Sequence, residues 1–137
     1  MTDESYSRKL RDLWQSRGSR DYDMDDIIML KVGRHLRPRK HFKLIIGREE
    51  GENHFLAGFR KQFTHINILS HKGPLVLIDG DDVTNEDLQL AAKISARFSD
   101  GKLAAKVKVQ INPVTSPSSE LEISPMMAEE IDQTWYV

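Results

Sequence analysis

The stretch Phe42-Lys-Leu-Ile-Ile-Gly-Arg48 predicts a β-strand that ends in a turn and leads into a helix. Its centre combines leucine with β-branched isoleucine, the residue types that suit a pleated surface. Gly47 gives the backbone the freedom that a turn needs. Helical spacing follows at once, because Phe55, Phe59 and Phe63 recur every four residues. We expect these three rings to belong to the core rather than to a base-stacking platform.

The sequence downstream predicts three more strands and a second helix. Two short strands lie at 65–69 and 74–79, with polar turn residues between them. Thr84-Asn-Glu-Asp87 resembles a capping box, which opens a helix that runs to about residue 99. The segment 105–111 alternates apolar with polar residues and predicts an amphipathic strand. The core order is therefore β-α-β-β-α-β, an α+β fold with its helices packed on one face of a small mixed or antiparallel sheet.

Three regions follow from this pattern. Residues 1–29 form an N-terminal helical extension, 30–112 the core domain, and 113–137 a linker and a C-terminal tail that packs on the core or on a partner. The tail predicts one short strand and one helix, capped by Ser124 with Pro125 at its first position.

Bulk composition excludes several classes of protein. The 137 residues contain no cysteine, so disulfides, thiolate zinc sites and a cysteine nucleophile are all excluded. No apolar run approaches the ~20 residues of a membrane-spanning helix, and the acidic start of the chain lacks the apolar core of a signal peptide. We expect a cytoplasmic protein that is not embedded in a membrane.

The net charge of −1 conceals an uneven distribution of charge. Residues 31–48 contain seven lysines and arginines and no acid. Since the whole chain has 20 basic and 21 acidic residues, the remainder keeps 13 basic residues against all 21 acids. Local field matters more than net charge for binding a polyanion. The segment therefore predicts an electropositive surface and an anionic ligand.

The arginines of this segment match phosphate oxygens through two-point hydrogen bonds. Arg48 also lies where a strand meets a helix, and free N–H groups at a helix start favour anions. Gly33 and Gly47 would let the backbone approach a ligand closely. The candidate binding residues are Arg34, His35, Arg37, Arg39, Lys40, Lys43, Arg48 and Asn53.

Signals for catalysis or for a metal are weak by comparison. The five histidines lack the spacing that brings two imidazoles to one helical face. The acidic cluster at 79–82 is better explained by the helix that follows it. There is no nucleophile elbow and no glycine-rich phosphate loop. We predict no metal and no cofactor, and the sequence favours a binding protein over an enzyme.

At these residues the chain resembles the NFACT-R family, in the branch associated with PP-loop tRNA thiolation enzymes. The resemblance covers about residues 30–111. Two positions depart from the family pattern: Lys72 stands where a proline is common, and Asp100 where a basic residue is usual. The matching segments are Gly33-Arg-His-Leu-Arg37, Lys43-Leu-Ile-Ile-Gly-Arg48, Glu52-Asn53, Gly73-Pro74 before a Val-Leu strand, Ala91-Ala92 through Phe98-Ser99, and Val107-Lys-Val109.

The resemblance implies an RNA-binding module with tRNA or ribosomal RNA as its ligand, acting in tRNA modification and thiolation or in translation quality control. A tRNA thiolation enzyme is the implied partner. The six lysines and arginines among the candidate residues would contact phosphates, and His35 or Asn53 would contact a base or a sugar.

Two other functions remain open at this point. The first is a subunit that acts by protein contact, docking on a thiolation enzyme or on a twin subunit in a homodimer. Its apolar tail would supply the contact through Met126, Met127, Ile131, Trp135 and Tyr136. The second is a small phosphate- or nucleotide-processing enzyme that uses Arg34, Arg48 and the carboxylates at 49–52.

Overall fold

The computed structural model describes residues 9–12 and 30–137. Residues 9–12 are helical, and the remaining elements lie in the second range. Among the described residues, no helix combines the length and the apolar content needed to cross a bilayer. The elements are β1 Arg34–Arg39, β2 Phe42–Ile46, α1 Glu50–Ala57, β3 Thr64–Ile68, β4 Val76–Gly80, α2 Asn85–Arg97, β5 Val107–Asn112, β6 Ser119–Ile123, and two 3₁₀ turns, Ala128–Glu130 and Gln133–Trp135.

The six strands form one sheet in the order β1-β2-β4-β3-β5-β6, and every neighbouring pair is antiparallel. The α+β class with an antiparallel sheet is confirmed. The expected β-α-β-β-α-β order is present, with one additional strand at each end. The strand β1 was not expected inside the basic segment. It forms because Leu36 is fully buried and pairs with Leu44 of β2.

The two helices lie on opposite faces of the sheet, whereas the sequence placed both on one face. Leu44 and Ile46 of β2 belong to the core cluster that contains the buried residues of α2, and Ile45 packs with Leu56 of α1. Successive side chains of a strand point to opposite faces. All five residues of β2 are buried. A strand buried on both faces has no alternation in its sequence, so nothing local indicated the second face.

The local signal at α2 is confirmed, whereas α1 ends at Ala57, before the last two phenylalanines of the expected helical stripe. The Thr84 hydroxyl accepts a hydrogen bond from the backbone N–H of Asp87 at 3.1 Å, and the Asp87 carboxylate accepts one from the N–H of Thr84 at 3.0 Å. The three phenylalanines of the α1 region, Phe55, Phe59 and Phe63, pack against the cluster around Leu56 as core residues.

The C-terminal tail forms the expected strand, β6, but not the expected helix. Met126 is buried in the main core and donates its backbone N–H to the carbonyl of Lys93 in α2 at 3.2 Å. This contact falls where the helix capped by Ser124 was expected, and only short 3₁₀ turns follow. The tail then returns to the opposite edge of the sheet, where Tyr136 pairs with Leu36 of β1. It therefore packs on the chain's own core.

Most of the N-terminal extension predicted for residues 1–29 lies outside the described residues. Its described part, residues 9–12, contacts the basic segment, because Asp12 forms an ion pair with Arg37.

Candidate functional site

A groove of about 680 Å³ lies at the end of the sheet where β2 finishes and β4 begins. We call it the junction groove. It is lined by residues 47–50, Asn53, residues 72–74, Phe98 and Asp100. These residues come from the β2–α1 turn, the start of α1, the loop before β4 and the end of α2. Four of the segments that carry the family resemblance therefore meet in one place.

Two hydrogen bonds hold these segments together. The N–H of Gly47 donates to the carbonyl of Leu75 at 3.1 Å, which continues the pairing of β2 with β4 beyond the strand ends. The N–H of Leu75 donates in turn to the side-chain oxygen of Asn53 at 3.1 Å. Asn53 therefore fixes α1 to the loop before β4, and its side-chain oxygen has a structural role.

Arg34 reaches the rim of the groove from the start of β1. Its guanidinium carbon lies 5.1 Å from the centroid of the Phe98 ring, a cation–π distance. The Arg34 side chain is exposed and makes no ion pair with any residue that the structure describes. It is the predicted cation that is most available to a ligand at this site.

Arg48 lines the groove but has a partner. Its Nε and Nη2 atoms donate to the two carboxylate oxygens of Glu52 at 2.9 and 2.7 Å. These hydrogen bonds raise the pKa of Arg48 and hold the pKa of Glu52 at about 2. The Arg48 side chain is still 43% exposed. It can contribute a hydrogen bond to a ligand, but its charge is largely balanced.

The charge in the groove is mixed. Lys72 is exposed and adds a cation beside Gly73 and Pro74. Glu49, Glu50 and Asp100 contribute carboxylates to the same lining, and all three are exposed. A groove of this kind can bind a phosphate at its cationic side and accept hydrogen bonds from a base at its carboxylates.

Arg37 and Lys43 lie outside the groove and face Asp12. Arg37 donates to both oxygens of the Asp12 carboxylate at 2.8 and 2.9 Å. The Lys43 Nζ lies 3.9 Å from the same carboxylate, and its side chain is 2% exposed. Neither cation is accessible to a phosphate in this arrangement.

Arg39, Lys40 and His41 lie at the far end of β1, in and beside the turn that leads to β2. Arg39 and His41 both contact the Asp87 carboxylate, at 3.3 and 2.6 Å. Hydrogen bonds from Thr84 and from His41 keep the pKa of Asp87 below its usual value. Lys40 is exposed. Five residue steps separate Arg39 from Arg34, roughly 16 Å along a strand.

The eight candidate residues therefore do not form one surface. The structure brings Arg34, Arg48 and Asn53 together at the junction groove and places the other cations elsewhere. His35 is 1% exposed, and its Nε2 lies 3.0 Å from the carbonyl of Val32, so it is a core residue.

Gly33 and Gly47 serve packing rather than the approach of a ligand. Gly33 has a φ of +76°, and a Cβ atom there would lie 2.6 Å from the carbonyl oxygen of Ile46. A Cβ atom on Gly47 would overlap the side-chain oxygen of Asn53. The chain itself already fills the space that a ligand would need.

Of the carboxylates at 49–52 that a phosphate-processing enzyme would use, Glu49 and Glu50 are exposed in the groove lining. Glu52 is held by Arg48, which keeps it ionised and occupied. No group of three or more potential metal ligands occurs within residues 9–12 and 30–137.

Sequence reasoning missed Phe98 and Lys72 as site residues. Both lie far from the basic segment in sequence, and Lys72 stood out only as a departure from the family pattern. The signal that could have found them was the family resemblance, since Phe98 belongs to the matching pair Phe98-Ser99 and Lys72 directly precedes Gly73-Pro74.

Known proteins agree with this fold. A family model described as the NFACT protein RNA binding domain matches residues 33–136. The solved structure of the C-terminal part of the fibronectin/fibrinogen-binding protein from Streptococcus suis superposes with a TM-score of 0.63 at 15% sequence identity. That alignment covers 100% of this chain and 62% of the solved one. At this identity the likeness establishes the fold alone. No curated protein matches the chain in sequence.

Proposed function

Because the chain belongs to the family of NFACT protein RNA-binding domains, we propose that it binds RNA at the junction groove. Phosphates contact Arg34, Lys72 and the exposed part of Arg48, and Asn53 keeps the walls of the groove in place. The ligand is tRNA or ribosomal RNA. This assignment replaces the continuous basic surface expected from residues 31–48.

One observation carries the proposal. The segments that carry the family resemblance are distant in sequence but meet around one cavity. Structural pairing accounts for Arg37, Arg39 and Lys43, but Arg34 has no such role among the described residues. An exposed arginine on an aromatic ring, beside an exposed lysine, suits phosphate and base contacts with RNA.

The experiment measures tRNA affinity as a function of salt for two paired variants of the full chain. Arg34→Gln with Lys72→Gln removes two groove cations, and Arg39→Gln with Lys40→Gln removes two cations at the far end of β1. The groove pair should weaken binding about tenfold or more and reduce the salt dependence by roughly one unit of slope per lost phosphate contact. The control pair should change both far less. Equal effects of the two pairs would place binding elsewhere, and no binding by the wild type would refute the proposal.

For the cellular role, we propose that the protein acts on tRNA in the cytoplasm, in tRNA modification and thiolation with a PP-loop enzyme as partner, or in translation quality control. The resemblance to the thiolation-associated branch supports the first role. The chain covers only 62% of the solved relative, so the role of any larger protein is part of the same proposal.

Mass spectrometry of tRNA nucleosides from cells that lack the protein separates the two roles. The thiolation role predicts a loss of thiouridine that Arg34→Gln with Lys72→Gln reproduces. Unchanged thiouridine, with the protein recovered in ribosomal fractions, supports translation quality control instead.

A further inference from the structure

Arg34 and Phe98 form a cation–π pair at the groove rim. Phe98 is half-buried and packs against the main core, so its ring is held in place. The Arg34 guanidinium covers that ring at 5.1 Å. Arg34 itself is exposed, and its side chain forms no ion pair with a described residue. The opposite face of this planar cation is therefore open to a second planar group.

The charge pattern of the groove disfavours a row of phosphates. Glu49, Glu50 and Asp100 line it together with Arg48 and Lys72, and carboxylates repel phosphate oxygens. Carboxylates instead accept hydrogen bonds from the amino groups of bases. These edges are accessible when a nucleotide is unpaired, since sequence-specific recognition of RNA targets bases that are splayed out from single-stranded loops.

The size of the groove also favours an unpaired nucleotide over an RNA duplex. Its volume of about 680 Å³ lies within the range of roughly 300–1,000 Å³ that is typical of small-molecule sites. A site of that size can enclose one or two nucleotides, but not a turn of an RNA helix.

We propose that the junction groove receives an unpaired nucleotide whose base stacks on the open face of Arg34, forming a ladder of base, guanidinium and Phe98 ring. The phosphate of this nucleotide contacts Lys72 and the exposed edge of Arg48. This inference rests on the proposed function and specifies the form of RNA: a loop or single strand rather than a duplex.

The test uses the full chain with two RNAs, a stem-loop that carries 2-aminopurine in its loop and a blunt duplex of the stem sequence. Arg34→Lys keeps the charge but removes the planar surface for stacking. It should weaken stem-loop binding about tenfold, the size expected for one lost stacking contact, and abolish the fluorescence quenching of a stacked 2-aminopurine. The salt dependence should stay as in the wild type. Phe98→Leu should act in the same direction, and a thermal unfolding curve checks that it folds.

Three outcomes overturn the inference, and the first two of them leave the proposed function standing. Arg34→Lys could bind the stem-loop as tightly as the wild type with quenching retained, which would make Arg34 a charge contact only. The duplex could bind as tightly as the stem-loop. In both cases RNA binding at the groove would stand. If the wild type binds neither RNA, the proposed function fails together with this inference.

Discussion

Glu52 holds Arg48 in a two-point ion pair in which both carboxylate oxygens accept guanidinium N–H groups at 2.9 and 2.7 Å. The same carboxylate accepts the backbone N–H groups of Gly33 at 3.0 Å and of Arg48 at 2.9 Å. One side chain thus joins the residue before β1, the end of β2 and the first turn of α1. The Glu-Asn pair of the family pattern consequently builds the groove, with Glu52 and Asn53 each fixing one wall.

Replacing Glu52 with glutamine should lower the free energy of unfolding at neutral pH. Hydrogen bonds to a charged group contribute about 1–3 kcal/mol. Because Arg48 is partly exposed and solvent screens the pair, we expect a loss toward the lower end of that range. Denaturant unfolding measures this change. Glutamine retains the shape and one acceptor oxygen, so the variant should still fold. A variant as stable as the wild type would show that the clamp is energetically neutral.

The effect of Glu52 on stability should depend on pH in a defined direction. Its pKa is lowered from 4.5 to about 2 in the folded chain, chiefly by the hydrogen bond from Arg48. A carboxyl with a lowered pKa stabilises the fold above its unfolded pKa, and that contribution disappears as pH falls through the folded pKa. The difference in unfolding free energy between wild type and Glu52→Gln should therefore shrink between pH 4.5 and 2. A difference that stays constant over this window would contradict the assignment.

Gly33 and Gly51 should respond in opposite directions to the same substitution. Gly33→Ala places a side chain at a φ of +76° and 2.6 Å from the Ile46 carbonyl oxygen, so it should cost at least about 1–2 kcal/mol. Gly51 lies inside α1, and its nearest neighbour to a new Cβ atom is 3.7 Å away. Gly51→Ala should be neutral or stabilise by up to about 1 kcal/mol, because alanine favours the helix. Thermal unfolding of both variants measures the contrast. Equal destabilisation would contradict it.

The parts of the fold predicted from sequence are those with local signals. The isoleucines of β2 predict a strand, and the capping box at Thr84 predicts the start of α2. The strand β1 could not be predicted in this way, because Arg34–Arg39 contains a single apolar residue, Leu36, and becomes a strand through its pairing with β2. The placement of the two helices on opposite faces of the sheet could not be predicted from local sequence signals either.

The positions of the candidate site residues relative to one another could not be predicted from the sequence. Arg37 pairs with Asp12, 25 residues away, and His41 with Asp87, 46 residues away. Charge counting within a segment cannot detect acids that arrive from distant parts of the chain. The segments that carry the family resemblance, by contrast, do lie together around the junction groove.

Ile131 and Met127 test whether the apolar tail belongs to the core or to a partner. Ile131 is 7% exposed and belongs to the main core cluster, whereas the Met127 side chain is 56% exposed. Removing a buried isoleucine side chain costs both transfer free energy and the cavity that remains. Ile131→Ala should therefore lower the unfolding free energy by about 2–4 kcal/mol, and Met127→Ala should change it by no more than about 0.5 kcal/mol.

Denaturant unfolding of the two variants in the full chain measures this contrast, and the mass in solution is recorded alongside. Because the tail closes the sheet edge through Tyr136 and Leu36, loss of the Ile131 anchor should also increase hydrogen exchange at the amides of β1. If both variants were instead as stable as the wild type, the tail would not be held on the core in solution. Its apolar residues would then be free for a second subunit or a thiolation enzyme, and the protein-contact function would regain its main argument.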